Sequence, residues 1–370
     1  MRTRAAVLWE ARTDWKVETI DLDPPRAGEV LVRIVAAGMC HSEDHHATGD
    51  VPFTAPMIGG HEGAGVVEET GPGVTSVAPG DHVVFSSLPS CGRCPSCSVG
   101  RHNLCDLVMH IGAGRQLSDH TARHHLGGED LAINCFLGAF AEHTVVNEMS
   151  LIKVDSSLPL EKLCVLSCGV PTGWGSAVYA GEAKLGDDVA VVGVGGLGSA
   201  AVQGARNAGA RRIFAIDPVE WKREKALGFG ATHTAAGVAE AFDVIQDVTW
   251  GRMCDVVVLT MGVGRGGLMA DVMRLAAKRG RVVVTNIHPA DEIDVRLSMN
   301  DLIQMEKRIV GAIFGSVNAR RDIPALIESY RDGRLDLDGM ITREYPLDEI
   351  NQGYRDLRAG RNIRGVLRMG

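Results

Sequence analysis

No stretch of this sequence is both long enough and apolar enough to cross a bilayer. The most apolar segment, residues 189–205, is short, and glycines, Ser199 and Gln203 interrupt it, which excludes a membrane span. Basic tracts are also missing, and the formal net charge is −8, so a nucleic-acid partner is not expected. The opening residues, Met-Arg-Thr-Arg-Ala-Ala-Val-Leu-Trp-Glu, hold too short an apolar run for a secretory signal. A cytoplasmic protein is therefore expected. No low-complexity linker and no internal repeat is found. The cysteine count is odd, at nine, and in a reducing compartment clustered cysteines point to metal rather than disulfides.

What is present begins with length: 370 residues suggest two domains, or three. The stretch that organises the chain is Asp188-Val-Ala-Val-Val-Gly-Val-Gly-Gly-Leu-Gly-Ser. Its apolar, β-branched start suits a buried parallel strand. Gly193, Gly195 and Gly198 follow in the spacing G-x-G-x-x-G, with Gly196 and Leu197 between them. The first glycine permits a tight turn, the second lets backbone approach a pyrophosphate, and the third lets a helix lie close to the sheet. A helix N-terminus there offers unpaired N–H groups to phosphates. A second apolar run ends in Asp217, about 20 residues beyond the last glycine. Its carboxylate can accept hydrogen bonds from a ribose 2′-hydroxyl and would repel a 2′-phosphate, which favours NAD over NADP.

Along the chain, residues 1 to about 168 read as β-rich, with short alternating runs such as 29–35 and 65–70 between turn signals. From about 170 to 311 strands and helices alternate, with strands at 255–260, 281–285 and 308–311 and helix near 267–278. This is the signature of a doubly wound parallel sheet. A helix at 323–334 and a strand at 364–368 close the chain. The expectation is an α/β protein: a β-rich domain of residues 1–169 and 313–370, and a Rossmann dinucleotide domain of residues 170–312.

Two groups of cysteines carry further chemistry. Cys91-Gly-Arg-Cys94-Pro-Ser-Cys97 is followed by Cys105. Four thiolates so close can complete a tetrahedral structural zinc site. An iron–sulfur run is the alternative, but the gap of seven residues before Cys105 and the lack of a following proline argue against it. Elsewhere, Cys40-His41-Ser42-Glu43-Asp44-His45 follows a predicted strand, Gly59-Gly60-His61-Glu62 comes next, and Cys168 stands before the nucleotide domain. A Cys₂His set is one composition of catalytic zinc sites, but spacing alone does not join these three residues. The histidines of residues 110–125 read as solvated surface. His46 reads as surface, and the plain alternative for Glu43 and Asp44 is a solvated loop pair. Cys135, Cys164 and Cys254 read as buried small apolar residues.

These motifs resemble those of the zinc-dependent medium-chain alcohol dehydrogenases, over essentially the whole chain. The resemblance is carried by Gly38-Met-Cys-His-Ser-Glu-Asp-His45, Gly60-His-Glu-Gly-Ala-Gly65, the cysteine loop, Cys168-Gly-Val-Pro-Thr-Gly-Trp-Gly175 and Gly193 to Gly198. Residues 106–137 look like the extended segment of the family's long form. Pro171-Thr-Gly-Trp-Gly-Ser, Asp217-Pro-Val-Glu-Trp-Lys-Arg-Glu and Ala359-Gly-Arg-Asn-Ile-Arg-Gly are most similar to actinobacterial members that use a nitrosoaniline (NDMA) as electron acceptor and hold NAD tightly. The resemblance implies a GroES-like catalytic domain, a catalytic zinc on Cys40, His61 and Cys168, and a structural zinc on Cys91, Cys94, Cys97 and Cys105. It implies Glu62 beside the metal, Glu43 as partner of the histidine ligand, and Ser42 and His45 as a proton relay. His41, Arg364, Lys222 and Thr172 are implied as cofactor contacts. His41 stands where many members have arginine. Ser87 and Val51 are implied as pocket residues. The small Ser87 leaves room for bulky or aromatic alcohols, and Val51 argues against a charged thiol adduct. The expected reaction is oxidation of a primary alcohol to an aldehyde with NAD, in a homodimer or homotetramer, with an external electron acceptor as a further partner. A thiol-adduct formaldehyde dehydrogenase and a non-enzymatic NAD-binding redox sensor are the alternatives.

Overall fold

The computed structural model describes residues 1–289 and 292–370. Packing divides the chain into two units, one of Met1–Cys168, Asn318–Ser329 and Leu337–Gly370, the other of Gly169–Val317 and Tyr330–Asp336.

The first unit holds two sheets, of six and seven strands. Its spine is Glu29–Met39, four residues longer than the run expected from the sequence and buried along nearly its whole length. One edge pairs antiparallel with Ala64–Thr70, and the other with His143–Asn147 and then Arg364–Arg368. The register sets Gly365 opposite Met39, which brings Arg364 beside Cys40, the residue after the strand. Val30, Val32, Ile34 and Phe85 fill the core. Trp15 stacks on Tyr354, with ring centroids 6.1 Å apart, and meets the edge of Phe140. Gly60 has φ of +91°, and a Cβ there would lie 2.5 Å from the Phe140 backbone nitrogen. Only glycine passes under that aromatic corner, so the packing dictates where His61 must be.

The second unit is built on a parallel sheet in the order His233–Ala235, Arg212–Ile216, Asp188–Val192, Cys254–Leu259, Ala276–Val284, Arg308–Gly311. All five pairings are parallel. The strand order reverses between Asp188–Val192 and Cys254–Leu259, and in open α/β sheets ligands bind beyond the carboxyl ends of the strands at such a point. The helix expected to reach residue 278 spans Met269–Leu275, because the chain turns at 276 into the strand paired with Cys254–Leu259. The last expected helix lies at Ala319–Arg331.

The second unit extends beyond residue 312, the boundary expected from the sequence, to Val317. The reason is a close backbone fit: a Cβ on Gly315 would lie 2.4 Å from the Thr172 carbonyl oxygen. Residues 330–336 also return to this unit. Asp336 N–H donates to Gln203 Oε1 at 2.7 Å, and Asn207 Nδ2 donates to the Arg334 carbonyl at 3.1 Å. Among the described residues, no helix is long and apolar enough to cross a membrane.

Candidate metal and nucleotide sites

Cys40 caps the helix His41–Thr48, which starts directly after the spine strand. His61 follows the glycine turn, and Cys168 follows the short turn Cys164–Ser167. Ser167 ties these last two segments together, since its hydroxyl donates to the Gly63 carbonyl at 2.9 Å and accepts from Gly63 N–H at 3.0 Å. The ligand atoms of Cys40, His61 and Glu62 lie within 4.8 Å of one another, and the Cys168 thiol hydrogen-bonds to the side chains of both Cys40 and His61. Three residues that spacing alone does not connect are thus one cluster, with Cys40 and His61 buried and Cys168 half-buried.

Its electrostatics suit a soft cation. The hydrogen bond shared with Cys168 holds the Cys40 thiol well below its usual range, and the same bond drives Cys168 up. Burial pushes the His61 imidazole down, but Glu43 and Cys168 outweigh it and hold it well above its ordinary value. The Glu43 carboxylate engages His61 Nδ1 and accepts the His61 backbone N–H at 2.9 Å. That leaves Nε2 for a metal, the arrangement that orients histidine ligands in metal sites. Two thiols and one oriented imidazole fit zinc.

Three neighbours were not legible as they now stand. Asn134 Nδ2 donates to Glu43 Oε1 at 3.1 Å, a contact across 91 residues. Asp44 is not part of a solvated loop pair: it lies in the helix, 5 % exposed, and accepts from Arg358 at 2.7 and 2.8 Å. Glu43 is fully buried. Cys135 is half-buried and donates to Asn134 Oδ1 at 3.3 Å, so it is more than an apolar filler. Cys164 and Cys254 are buried.

Glu62 is fully buried and pairs with the Arg364 guanidinium. Burial pushes its carboxyl up to about 7, against the pull of Arg364. Arg364 is itself buried on the metal side, and its Nε has no partner among the described residues. Ser42 Oγ lies 3.5 Å from Cys40 Sγ. His45 is buried, with Nδ1 3.4 Å from Asp50 Oδ2 and Nε2 without a partner among the described residues. No hydrogen bond joins Ser42 to His45 among the described residues. His41 is exposed, its ring 6.1 Å from that of His45. His46 is half-buried rather than on the surface. It bonds the Val51 carbonyl at 3.3 Å, packs on Phe53, and is held below its usual pKa by burial. Val51 is half-buried. Ser87 is buried, and its N–H donates to the Ser167 carbonyl at 3.3 Å.

The ligand atoms of Cys91, Cys94, Cys97 and Cys105 also lie within 4.8 Å of one another. Cys91 Sγ accepts from Cys94 N–H, and Cys105 Sγ from Cys91 N–H, both at 3.3 Å. Backbone N–H groups lower the Cys91 thiol to about 6, while burial raises Cys97 to about 12. No metal cluster forms among residues 110–125, but these histidines are not all on the surface. His124 is fully buried, because the strand His124–Leu126 pairs with Lys16–Leu22. Its Nε2 bonds Thr144 Oγ1 at 3.2 Å, and burial lowers its pKa to about 3.

In the second unit, Gly193 has φ of +93°, and a Cβ on Gly198 would lie 1.8 Å from the Gly193 carbonyl oxygen. Both are therefore required as glycine. A Cβ on Gly195 would meet nothing within 4 Å, so the turn is open there. Gly195 caps the helix Gly196–Asn207, which Gly196 and Leu197 begin. This open cap with free N–H groups fits a pyrophosphate. Asp217 is 7 % exposed, and its two oxygens accept Val194 N–H and Val219 N–H, each at 2.9 Å. A carboxylate offers about four acceptor sites, so the fixed side chain keeps capacity for ribose hydroxyls. Lys222 is partly buried, and burial lowers its ammonium pKa while Asp217 opposes the shift. Thr172 is buried in the helix Gly169–Gly175.

Comparison with known proteins agrees with this construction. The profile of the alcohol dehydrogenase GroES-like domain matches residues 26–156, and that of the zinc-binding dehydrogenase domain matches residues 196–331. Alcohol dehydrogenase B of Mycobacterium tuberculosis is 46 % identical over 369 residues, covering 100 % of this chain and 98 % of its own. The NDMA-dependent alcohol dehydrogenase of Amycolatopsis methanolica is 46 % identical over 367 residues, covering 99 % of each. Among solved structures, an alcohol dehydrogenase zinc-binding domain protein from Burkholderia ambifaria has a TM-score of 0.93 at 31 % identity, covering 100 % of this chain and 99 % of its own. Benzyl alcohol dehydrogenase from Acinetobacter calcoaceticus has a TM-score of 0.91 at 27 % identity, covering 100 % of both. Cluster, glycine turn and end-to-end similarity agree: the chain belongs to the zinc-dependent medium-chain alcohol dehydrogenases.

Proposed function

We propose that this alcohol dehydrogenase oxidises a primary alcohol, aromatic ones included, to the aldehyde. Zinc would sit on Cys40, His61 and Cys168, and NAD would bind the second unit as hydride acceptor. A second zinc on Cys91, Cys94, Cys97 and Cys105 would fix their loop. The observation that carries the reading is the cluster of buried Cys40 and carboxylate-oriented His61 with the half-buried Cys168 thiol hydrogen-bonded to both. When bound, zinc supplies the Lewis acidity that lowers an alcohol's pKa, and NAD supplies the hydride acceptor.

The chain's own residues do the remaining work. Glu43 holds the His61 ring in position. Ser42 Oγ, next to Cys40, would receive the alcohol's proton, and His45, whose buried Nε2 has no partner among the described residues, would take it on once the two are bridged. His45 Nδ1 faces Asp50, whose side chain is about one-third exposed (35 %) and opens the route to water. Arg364 offsets the buried charge of Glu62. Asp217 accepts from the ribose hydroxyls and disfavours a 2′-phosphate. The buried, small Ser87 supports bulky alcohols, as does the likeness to a benzyl alcohol dehydrogenase.

The 46 % identity to an NDMA-dependent relative supports a cofactor that stays bound and is re-oxidised in place. The test is a progress curve on protein purified without added nucleotide, given a primary alcohol and NAD, then the nitrosoaniline. One turnover per site at most, followed by sustained turnover once the dye arrives, is expected. Steady release of NADH before the dye would overturn the captive-cofactor reading. Alcohol turnover by Cys40→Ala protein would overturn the metal mechanism.

A further inference from the structure

The glycine turn and Asp217 account for the pyrophosphate and adenosine half of a dinucleotide. They stand at the carboxyl ends of Asp188–Val192 and Arg212–Ile216. The other half must extend across the point of strand reversal, over the carboxyl ends of Cys254–Leu259 and Ala276–Val284. Two loops leave the sheet there, and a parallel bridge between Val263 and Ile287 joins them, with Gly264 N–H donating to the Ile287 carbonyl at 2.8 Å.

These loops carry polar groups that nothing in the proposed function uses. Asn286 is 9 % exposed, and neither its Nδ2 nor its Oδ1 has a partner among the described residues. His288 Nε2 is likewise buried without a partner. The other ring nitrogen of His288 lies 3.3 Å from Glu292 Oε2, and Glu292 Oε1 accepts Gly266 N–H at 3.1 Å. A carboxylate on Nδ1 places the ring proton there and leaves Nε2 as an acceptor. Both groups pack against Gly264: a Cβ at that position would lie 2.2 Å from His288 Nε2 and 2.3 Å from Asn286 Nδ2. Only glycine leaves room for the two side chains to meet there.

Burying a primary amide with donor and acceptor both idle is costly, and such groups in native proteins call for an explanation. A phosphate would use only the donor. A ligand that uses both must itself offer a donor and an acceptor, as a ribose diol or a primary carboxamide does. The ribosyl-nicotinamide half of NAD carries both. We infer that Asn286 and His288 form a second polar anchor that grips this half of the cofactor, so that the dinucleotide is held from both ends. The inference rests on the reading of NAD as cofactor and supplies a structural reason for slow release.

The test strips nucleotide from the wild-type protein with charcoal, then titrates it calorimetrically with ADP, ADP-ribose and NAD. The same is done for Asn286→Ala and for Gly264→Ala, which puts a methyl where the two groups meet. Each variant should weaken NAD at least tenfold and leave ADP unchanged, with unliganded thermal midpoints near wild type. If ADP-ribose weakens as NAD does, the contact is to the ribose; if NAD alone weakens, it is to the carboxamide. Unchanged NAD affinity in both variants, or an equal loss for ADP, would overturn the anchor. Failure of wild-type protein to bind NAD at all would instead remove the cofactor reading on which it stands.

Discussion

At the scale of single residues, the cluster of candidate metal ligands leans on a carboxylate behind it, Glu43. Glu43 Oε1 collects His61 N–H, His61 Nδ1 and Asn134 Nδ2, while its Oε2 has no partner among the described residues. Asn134 thus restrains Glu43, which restrains the ligand. Asn134→Ala is expected to weaken metal retention about 10- to 100-fold, as losses behind metal ligands do. Competition with a chromophoric chelator reads this directly, and unchanged retention would refute it. Glu43 was legible through the family resemblance, which implied it as partner of the histidine ligand. Asn134 was not, since its partner is 91 residues distant and a lone asparagine outside the motifs gives no signal. The same holds for His124, whose burial comes from a strand pairing. Its pH consequence has a definite sign. An unfolded imidazole titrates near about 6.5, but the native one only near about 3. Between these values the unfolded chain binds a proton that the native state refuses. The contribution is complete above about 6.5 and declines as pH falls, by about 1.4 kcal/mol per pH unit at most. Urea midpoints measured from pH 7.5 to 5 should therefore fall less steeply in His124→Gln than in wild type, and equal slopes would contradict the assignment.

At the scale of elements, the cysteine loop is a fold without its own core. It has only the four-residue helix Pro95–Ser98 and the turn His102–Leu104, and its apolar side chains Val99 and Leu104 are 69 % and 49 % exposed. What converges inside is four sulfurs. A metal bound there would stand in for the missing apolar interior, as in other small metal-closed segments. Cys97→Ser, or exhaustive chelation, should expose the loop to trypsin at the surface residues Arg93 and Arg101. Cleavage mapped by mass spectrometry should rise at least tenfold there while sites elsewhere stay protected. Protection that survives metal removal would mean that the loop holds itself together. The loop was readable because four cysteines in one short run have few other uses. The helix ends near residues 275 and 331 were not, because tertiary pairing rather than local propensity stops them.

At the scale of the whole molecule, the chemistry is divided between two units, each with its own core. Cys40, His61, Cys168 and the cysteine loop belong to the first, and Gly193 to Gly198, Asp217, Lys222 and Asn286 to the second. The change from short alternating strands to strand–helix alternation made the α/β class legible. The assignment of residues 330–336 was hidden, because the bonds of Arg334 and Asp336 reach back more than a hundred residues. The division has a thermodynamic consequence. The two ligand sets share no residue, and independent sites combine within about 0.5 kcal/mol, roughly a twofold change in affinity. Chelator-treated protein and Cys40→Ala protein should therefore bind NAD within about twofold of wild type, although neither oxidises alcohol. Conversely, Asp217→Ala should lose NAD affinity at least tenfold while its zinc content, measured by atomic emission, stays at the wild-type value. A metal-free protein that no longer binds NAD would show that the two sites share a determinant after all.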